Sequence, residues 1–322
     1  YYIMKNMITF SKSSNLFKSL ALIFLLMLSV SCSTEETDTY QDPELTIIES
    51  LSKIEAEYDN NGRSNNKPKF KTLKVALAKT GLAGVVSSNR FTIFAPTDEA
   101  FAAYDINHQN VDEVEGLTDI LLYHVLGNIV FRSDLSNGFV PTLNGAAVEV
   151  NLDEGVKINT SNVILADRET RNGVIHVIDD ILFPPSSNIA EIAQSFAPDE
   201  FTVLVKALQL TGLINAVIGD DQLTVFAPTN SAFNNIGLND SNIMDQDIAF
   251  ISDVLLYHVV PGRVYSSDLS LGDVTTLNGT FQLDLSNFTI TGNGGSVSTL
   301  VGPLNVQATN GVIHVINEVI LP

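Results

Sequence analysis

The sequence predicts an α+β protein with two similar domains in tandem, each a compact antiparallel β wedge or sandwich packed with several short helices. The first observation behind this prediction is that four sequence blocks occur twice, in the same order, 132 to 138 residues apart. The second is that the hydrophobic period changes within each copy from helical to extended. The third is size, since 322 residues with 45% hydrophobic content can close two cores of ordinary domain size.

The repeated blocks define the two copies. They pair residues 91–101 with 223–233, 121–125 with 255–259, 142–145 with 276–279, and 172–178 with 310–316. Because the period is a whole domain long, each copy can bury its own core, unlike the short units of a solenoid. We therefore predict one domain over residues 44–184 and a second over residues 187–322. The two prolines Pro184 and Pro185 between them restrict the relative orientation of the domains.

Local patterns predict the helices and strands of each copy. Apolar residues at helical spacing from Phe201 onwards predict a helix that ends at Gly212. The short apolar segment from Phe91 predicts a strand that stops at Pro96. Thr97 is then placed to cap the next helix with its hydroxyl, and Thr229 repeats this arrangement in the second copy.

Two kinds of Asn-Gly step have different predicted roles. Asn144-Gly145 and Asn278-Gly279 predict two-residue hairpin turns in which both residues have positive φ. Asn172-Gly173 instead opens a segment with apolar residues on both faces, which predicts a strand buried on both sides.

The N-terminal region reads as a lipoprotein signal peptide over residues 1–31, followed by an acidic tether over residues 32–43. The apolar segment 19–30 is 12 residues long, which is shorter than the roughly 20 residues that span a bilayer as a helix. Cys32, the only cysteine, follows it directly in a pattern similar to a lipobox, although Ser29 stands where leucine is usual. We expect Cys32 to carry the lipid that binds the protein to the membrane; an ordinary signal peptide with an incidental cysteine is the alternative.

The charge of the chain excludes one class of partner. The formal net charge is −20, and residues 187–322 contain 13 acidic residues against 2 basic ones. Such a surface repels nucleic acid, so no nucleic-acid partner is expected.

Candidate catalytic and metal-binding residues are few. Four of the five histidines form the repeat pairs His124/His258 and His176/His314, each within an apolar run without a second ligand at metal-binding spacing. We expect these histidines to be buried and to hydrogen-bond to the backbone. No nucleophile elbow, zinc-protease helix or phosphate-binding loop occurs. The sequence therefore predicts a non-enzymatic protein without a metal or another cofactor.

The four blocks together resemble the fasciclin domain family. The first hallmark is Thr-x-Phe-Ala-Pro-Thr at residues 92–97 and 224–229, and the second is Asn-Gly-Val-Ile-His-Val-Ile from Asn172 and Asn310. A Tyr-His step stands between them in both copies. The resemblance implies an adhesion or matrix module that is secreted or tethered to a membrane and has no general catalytic activity.

The resemblance also implies candidate partner-binding residues. In some animal members an Asp-Ile pair before the second hallmark, together with the Tyr-His step, is tied to receptor binding. The pair falls on Asp167-Arg168 and on Asn305-Val306, so neither copy keeps both residues. The candidate partner-binding residues are therefore Tyr123, His124, Asp167, Tyr257 and His258. The alternative is that the Tyr-His residues support the fold and contact no partner.

These observations lead to an expected function. The protein is expected to be exported, to be lipid-anchored at the outer membrane, and to bind an unknown protein or polysaccharide through its two domains. Capture of a glycan or small ligand, in a groove of one domain or at the inter-domain junction, is the alternative. The absence of tryptophan counts against glycan capture, because sugar sites favour large aromatic faces.

Overall fold

The structure is a computed structural model that describes residues 45–60, 67–197 and 199–322. The predicted signal peptide, Cys32 and the predicted acidic tether lie outside the described residues. Residues Asp42–Pro322 form one compact unit. Its buried core residues run from Ile47 to Ile320, so a fragment that begins at Asp42 retains both cores.

The first domain alternates helices with a sheet. In chain order its elements are α1 (Ile47–Asn60), α2 (Lys71–Lys79), α3 (Leu82–Ser88), β1 (Phe91–Pro96), α4 (Asp98–Ala102), α5 (Leu117–Tyr123), β2 (Val125–Leu126), β3 (Gly138–Pro141), β4 (Ala147–Asn151), β5 (Lys157–Ile158), β6 (Ser161–Thr170) and β7 (Gly173–Ile178). Short 3-10 helices lie at Val111–Glu113 and Arg132–Asp134.

The second domain repeats this order. Its elements are α6 (Ile189–Phe196), α7 (Thr202–Thr211), β8 (Leu223–Pro228), α8 (Asn230–Asn235), α9 (Ile248–Tyr257), β9 (Val259–Pro261), β10 (Gly272–Thr276), β11 (Gly279–Asp284), β12 (Thr289–Thr291), β13 (Val297–Ala308) and β14 (Gly311–Ile316). Short 3-10 helices lie at Leu213–Asn215 and Ile243–Asp245.

Each domain contains one seven-stranded mixed sheet. The strand order is β2-β1-β7-β6-β5-β4-β3 in the first domain, and β9-β8-β14-β13-β12-β11-β10 in the second. The pairs β1/β7 and β8/β14 are parallel, and the other paired strands are antiparallel. The predicted α+β class is confirmed, with the difference that the sheets are not wholly antiparallel. The two hallmark strands are joined by a long crossover, and such a connection allows parallel pairing.

The central strands separate two hydrophobic clusters in each domain. Every residue of β1, β7, β8 and β14 is buried, which confirms the predicted burial on both faces of the second hallmark. One cluster is formed by the helices and the central strands. The other is formed by the central strands and the antiparallel strands at one end of the sheet. The helical layer therefore covers one face only.

The predicted helix signals are confirmed. The Thr97 hydroxyl accepts a hydrogen bond from Ala100 N at 3.2 Å, and the Thr229 hydroxyl accepts one from Ala232 N at 3.2 Å. Helix α7 ends at Gly212, whose φ of 70° is left-handed.

The predicted hairpin turns are wrong by one residue. Only the glycines have positive φ, with values of 96° at Gly145 and 113° at Gly279. In the second copy Thr276 pairs with Gly279, so the turn residues are Leu277 and Asn278. The Thr276 hydroxyl accepts a hydrogen bond from Asn278 N at 3.1 Å, which holds Asn278 inside the turn and leaves the glycine to take the left-handed position after it.

The Asn-Gly step of the second hallmark ties the domain together. The Asn172 side chain accepts a hydrogen bond from Ile47 N at 3.0 Å and donates to Val86 O at 2.7 Å and Asn89 O at 2.8 Å. It thereby joins the start of α1 to the end of α3. A Cβ on Gly173 would lie 2.0 Å from Phe91 O, so only glycine allows β7 to approach β1 this closely.

Replacing Asn310, the buried counterpart of Asn172, should destabilise the second domain. Asn310 accepts a hydrogen bond from Ile189 N and donates to Val217 O and Gly219 O. Asn310→Ala leaves these buried groups without partners, so we expect a loss of about 3 kcal/mol or more in the free energy of unfolding. Urea denaturation of the fragment from Asp42 measures the loss. The control Asn234→Ala changes an exposed helical residue and should leave stability nearly unchanged; equal stability of the two variants would contradict the prediction.

Candidate partner-binding site

The two repeated tyrosines are buried inside their domains. Tyr123 is 2% exposed and Tyr257 is fully buried. The Tyr123 hydroxyl donates to Ala147 O at 2.7 Å, and burial raises its pKa. The Tyr257 hydroxyl donates to Thr280 O and accepts from Asn293 N at 3.1 Å. Both hydroxyls therefore brace the β half of a domain against the preceding helix.

The two histidines of the Tyr-His steps are buried with both ring nitrogens in use. His124 Nδ1 donates to Ile120 O at 2.7 Å, and His124 Nε2 accepts from Leu182 N at 3.0 Å. His258 makes the same pair of bonds to Val254 O and Ile320 N. Since a backbone N–H must be accepted at Nε2, the neutral ring carries its proton on Nδ1.

The histidines of the second hallmark use the other tautomer. His176 Nδ1 accepts from Asp167 N at 3.3 Å, so Nε2 carries the proton and donates to Val130 O at 2.9 Å. His314 makes the equivalent bonds to Asn305 N and Val264 O. The prediction that all four repeated histidines are buried and hydrogen-bond to the backbone is confirmed.

Asp167 lies on a bulge of β6, away from the Tyr-His step. Its φ is 56°, and its counterpart Asn305 has a φ of 58°. The Asp167 carboxylate accepts a hydrogen bond from Arg132 N at 2.7 Å, while its side chain remains 41% exposed. Of the five predicted partner-binding residues, only Asp167 therefore presents its side chain to solvent.

The structure brings together three residues that the sequence did not single out. The Tyr265 ring stacks on Phe139 with centroids 4.4 Å apart and planes at 5°. The Tyr265 hydroxyl donates to Gln307 Oε1 at 2.8 Å and accepts from Ala147 N at 3.1 Å. The Gln307 amide donates to Ala147 O at 2.8 Å. These contacts join the two domains directly, and Tyr123 reaches the same carbonyl from within the first domain.

One signal of this junction was present in the sequence. Asp134 caps Phe131 N as Asp268 caps Tyr265 N, so Phe131 and Tyr265 are equivalent positions. The copies differ there by a single hydroxyl, and this hydroxyl makes the junction bonds.

The second domain has an open groove that is lined mostly by apolar side chains. We call it the α6–β13 groove; it has a volume of about 340 Å³ and lies between the end of α6, the start of α7 and the bulge of β13. Phe196, Phe201, Pro303 and Val306 are among its walls. Glu200 is the only ionisable residue among the described residues that line it. The volume lies at the lower end of small-ligand sites.

Two features are absent from the described ranges. No helix in them has the length and apolar composition needed to cross a membrane. Within the same ranges, no three His, Cys, Asp or Glu side chains are grouped so that they could hold a metal ion.

The protein consists of two similar α+β domains, each with a buried Tyr-His step. Sequence comparison identifies the family to which these domains belong. A profile of the fasciclin domain matches residues 68–184 and 199–322. Because these matches cover more than half of the chain, the protein belongs to the fasciclin domain family.

Its relatives include animal and bacterial proteins. Transforming growth factor-beta-induced protein ig-h3 of Sus scrofa is 30% identical over 245 residues, which are 72% of this chain and 35% of the relative. Protein sll1483 of Synechocystis is 38% identical over 125 residues, which are 36% of this chain and 68% of the relative. The chain thus spans about a third of the length of the animal relative.

Comparison with solved structures matches the chain to a FAS1 domain pair from the insect cell adhesion molecule Fasciclin I. It is 21% identical in sequence with a TM-score of 0.37, and the match covers 78% of this chain and 96% of that one.

Acidification should destabilise both domains between pH 6.5 and 4. Burial lowers the pKa of His124 and His258 from an ordinary 6.5 to about 4. The unfolded chain therefore binds protons in this window while the folded chain does not, so stability is full above pH 6.5 and falls as the pH drops towards 4. Each histidine should contribute a loss of roughly 3 kcal/mol. Urea denaturation of the fragment from Asp42 at several pH values measures the slope.

A pair of variants separates these histidines from the many carboxylates. His124→Gln cannot titrate, so the first domain should be less stable at pH 7 but should lose stability less steeply on acidification. His108→Gln changes a half-buried histidine outside the repeat pairs and should keep the steep slope. Equal slopes in all three proteins would contradict the assignment.

Proposed function

We propose that this protein is a non-enzymatic, lipid-anchored adhesion protein that binds a protein or polysaccharide partner through its two fasciclin domains. Membership of a family of adhesion and matrix-binding domains supports the general role. Export is supported by the secreted or extracellular character of its homologues. The finer elements, which are the lipid on Cys32, the outer-membrane location and the partner, rest on the sequence.

The observation that carries the proposal is that the repeated tyrosines and histidines make internal hydrogen bonds. The repeated tyrosines and histidines are buried and bonded to the protein's own backbone or amide groups. A catalytic histidine needs a free nitrogen facing a substrate, and both ring nitrogens of these four have internal partners. The hallmarks therefore serve the fold, which favours a binding module over an enzyme.

A second candidate function is capture of a glycan or small ligand, for which the α6–β13 groove has a suitable volume. Its largely apolar lining matches sugar hydroxyls poorly, because buried hydroxyls without hydrogen-bond partners are costly. A glycan array with the fragment from Asp42 should therefore give no discrete hits. Discrete hits would favour glycan capture over adhesion to protein.

Replacing Cys32 tests the anchor and the adhesion function in one experiment. In cells that express the full chain, Cys32→Ala should move the protein from the detergent phase to the aqueous phase and should lower adherence of the cells to surfaces. The reason is that two or more acyl chains hold a protein durably to a membrane, at about 0.8 kcal/mol for each buried methylene. The control Thr34→Ala, two residues away, should change neither property.

The two readouts fail separately. If Cys32→Ala leaves the phase partition unchanged, the lipid anchor is rejected. If the protein is released and adherence stays the same, the anchor stands and the adhesion function is rejected.

A further inference from the structure

The two domains differ at one place that is covered in the first domain and open in the second. The equivalence is set by the hallmark asparagines, since Asn172 accepts from Ile47 N and Asn310 accepts from Ile189 N. Seven residues further along these helices, Ile54 corresponds to Phe196. Ile54 is 1% exposed, whereas Phe196 is 42% exposed.

In the first domain the last turns of α1 provide the cover. The Glu55 carboxylate accepts from Phe70 N at 2.7 Å and from Lys74 Nζ at 2.8 Å. The Glu57 carboxylate forms an ion pair with Arg168. An acidic peptide segment is therefore held over the bulge of β6 by basic side chains.

In the second domain this segment is missing. Helix α6 ends at Phe196. The chain from Phe196 to Phe201 is 11 residues shorter than the equivalent chain from Ile54 to Phe70 in the first domain. Val306 pairs with Ile313 in the sheet as Arg168 pairs with Ile175, so a valine stands where the first domain has its arginine. The α6–β13 groove occupies the space that is left.

The charge at the edge of the groove is also reversed. Lys69 O accepts from Asp98 N as Glu200 O accepts from Asn230 N, so Glu200 replaces Lys69. Both basic residues of the second domain are engaged elsewhere. Lys206 pairs with Asp240 at 2.5 Å, and Arg263 donates to the carbonyls of residues 308, 309 and 311. A cover for this groove should therefore be apolar and basic, the opposite of the acidic cover in the first domain.

We propose that the α6–β13 groove binds a peptide segment of a partner protein, which inserts an apolar side chain and places a lysine or arginine beside Glu200. A peptide is the chosen occupant because a segment of the chain itself, the helix α1, covers the same place in the first domain. This inference rests on the proposed adhesion function for the source of the segment, and it assigns the recognition of this segment to the second domain.

The test is a titration of the fragment from Asp42 with two synthetic peptides, followed by NMR of the methyl groups of Val301 and Val306. The first peptide is acetyl-Ala-Lys-Leu-Phe-Lys-Ala-amide, and the second has glutamate in place of both lysines. The basic peptide should bind at least ten times more tightly, and its affinity should fall with added salt. Equal affinity of the two peptides would overturn the proposal.

Variants of the groove sharpen the result. Glu200→Lys gives the groove the charge found in the first domain and should reverse the preference towards the acidic peptide. The control Asp221→Lys makes the same charge change at an exposed position of the second domain and should keep the original preference. Val306→Arg places the arginine of the first domain in the groove and should weaken binding of the basic peptide more than tenfold, with thermal melting to verify folding. An unchanged preference in Glu200→Lys overturns the proposal even if Val306→Arg does not fold.

Other occupants would give distinct results. Phenethylamine that binds as tightly as the basic peptide would assign the groove to a small amine, and self-association that the peptide abolishes would assign it to a second copy of this chain; either result overturns the proposal. Cell adherence that depends on Cys32 but is unchanged by Glu200→Lys would reject the groove as the adhesive site while leaving the proposed function in place.

Discussion

The close parallel pairing of two strands that are distant in sequence is the constraint on which each domain depends. β7 runs beside β1 over six paired residues, and β14 runs beside β8 in the same register. The approach is possible because Gly173 and Gly311 have no Cβ to meet the neighbouring carbonyl. The asparagine before each glycine then satisfies groups from the first helix and from the end of the third helical segment. In the folded domain, helices pack on one side of this strand pair and the antiparallel end of the sheet packs on the other.

The repeated histidines show how buried polar groups can serve a fold without serving a reaction. Each ring has one nitrogen that accepts a backbone N–H and one that donates to a carbonyl, and the Tyr-His step and the second hallmark use opposite tautomers. A neutral imidazole satisfies both backbone groups at once, which no aliphatic side chain can do. Residues shared by the copies are therefore explained by the scaffold. In our proposal, a partner is recognised instead at positions where the copies differ, such as Val306 and Glu200 in place of Arg168 and Lys69.

Apart from the Asn-Gly turns, local signals were predictable from the sequence, and relationships between distant segments were not. The Thr97 cap and the end of α7 at Gly212 depend on neighbouring residues alone, so the sequence was sufficient for them. The parallel pairing was missed because the direction of a strand depends on its whole crossover. The junction was missed because Phe139, Tyr265 and Gln307 come from three separate segments. The groove arises from residues that the second copy lacks, and a motif search detects only residues that are present.

The Asn-Gly step also determines how a domain would bear a mechanical load. Leu45 O accepts from Arg171 N at 2.8 Å, and Ser187 O accepts from Thr309 N at 2.9 Å, so the chain enters each domain beside the strand by which it leaves. Tension between the two ends of the first domain would pass through the hydrogen bond between Arg171 N and Leu45 O and then along β7. This strand is hydrogen-bonded to a neighbouring strand on either side. Such tension would load both ladders in shear, so that the hydrogen bonds of the paired strands would share the force.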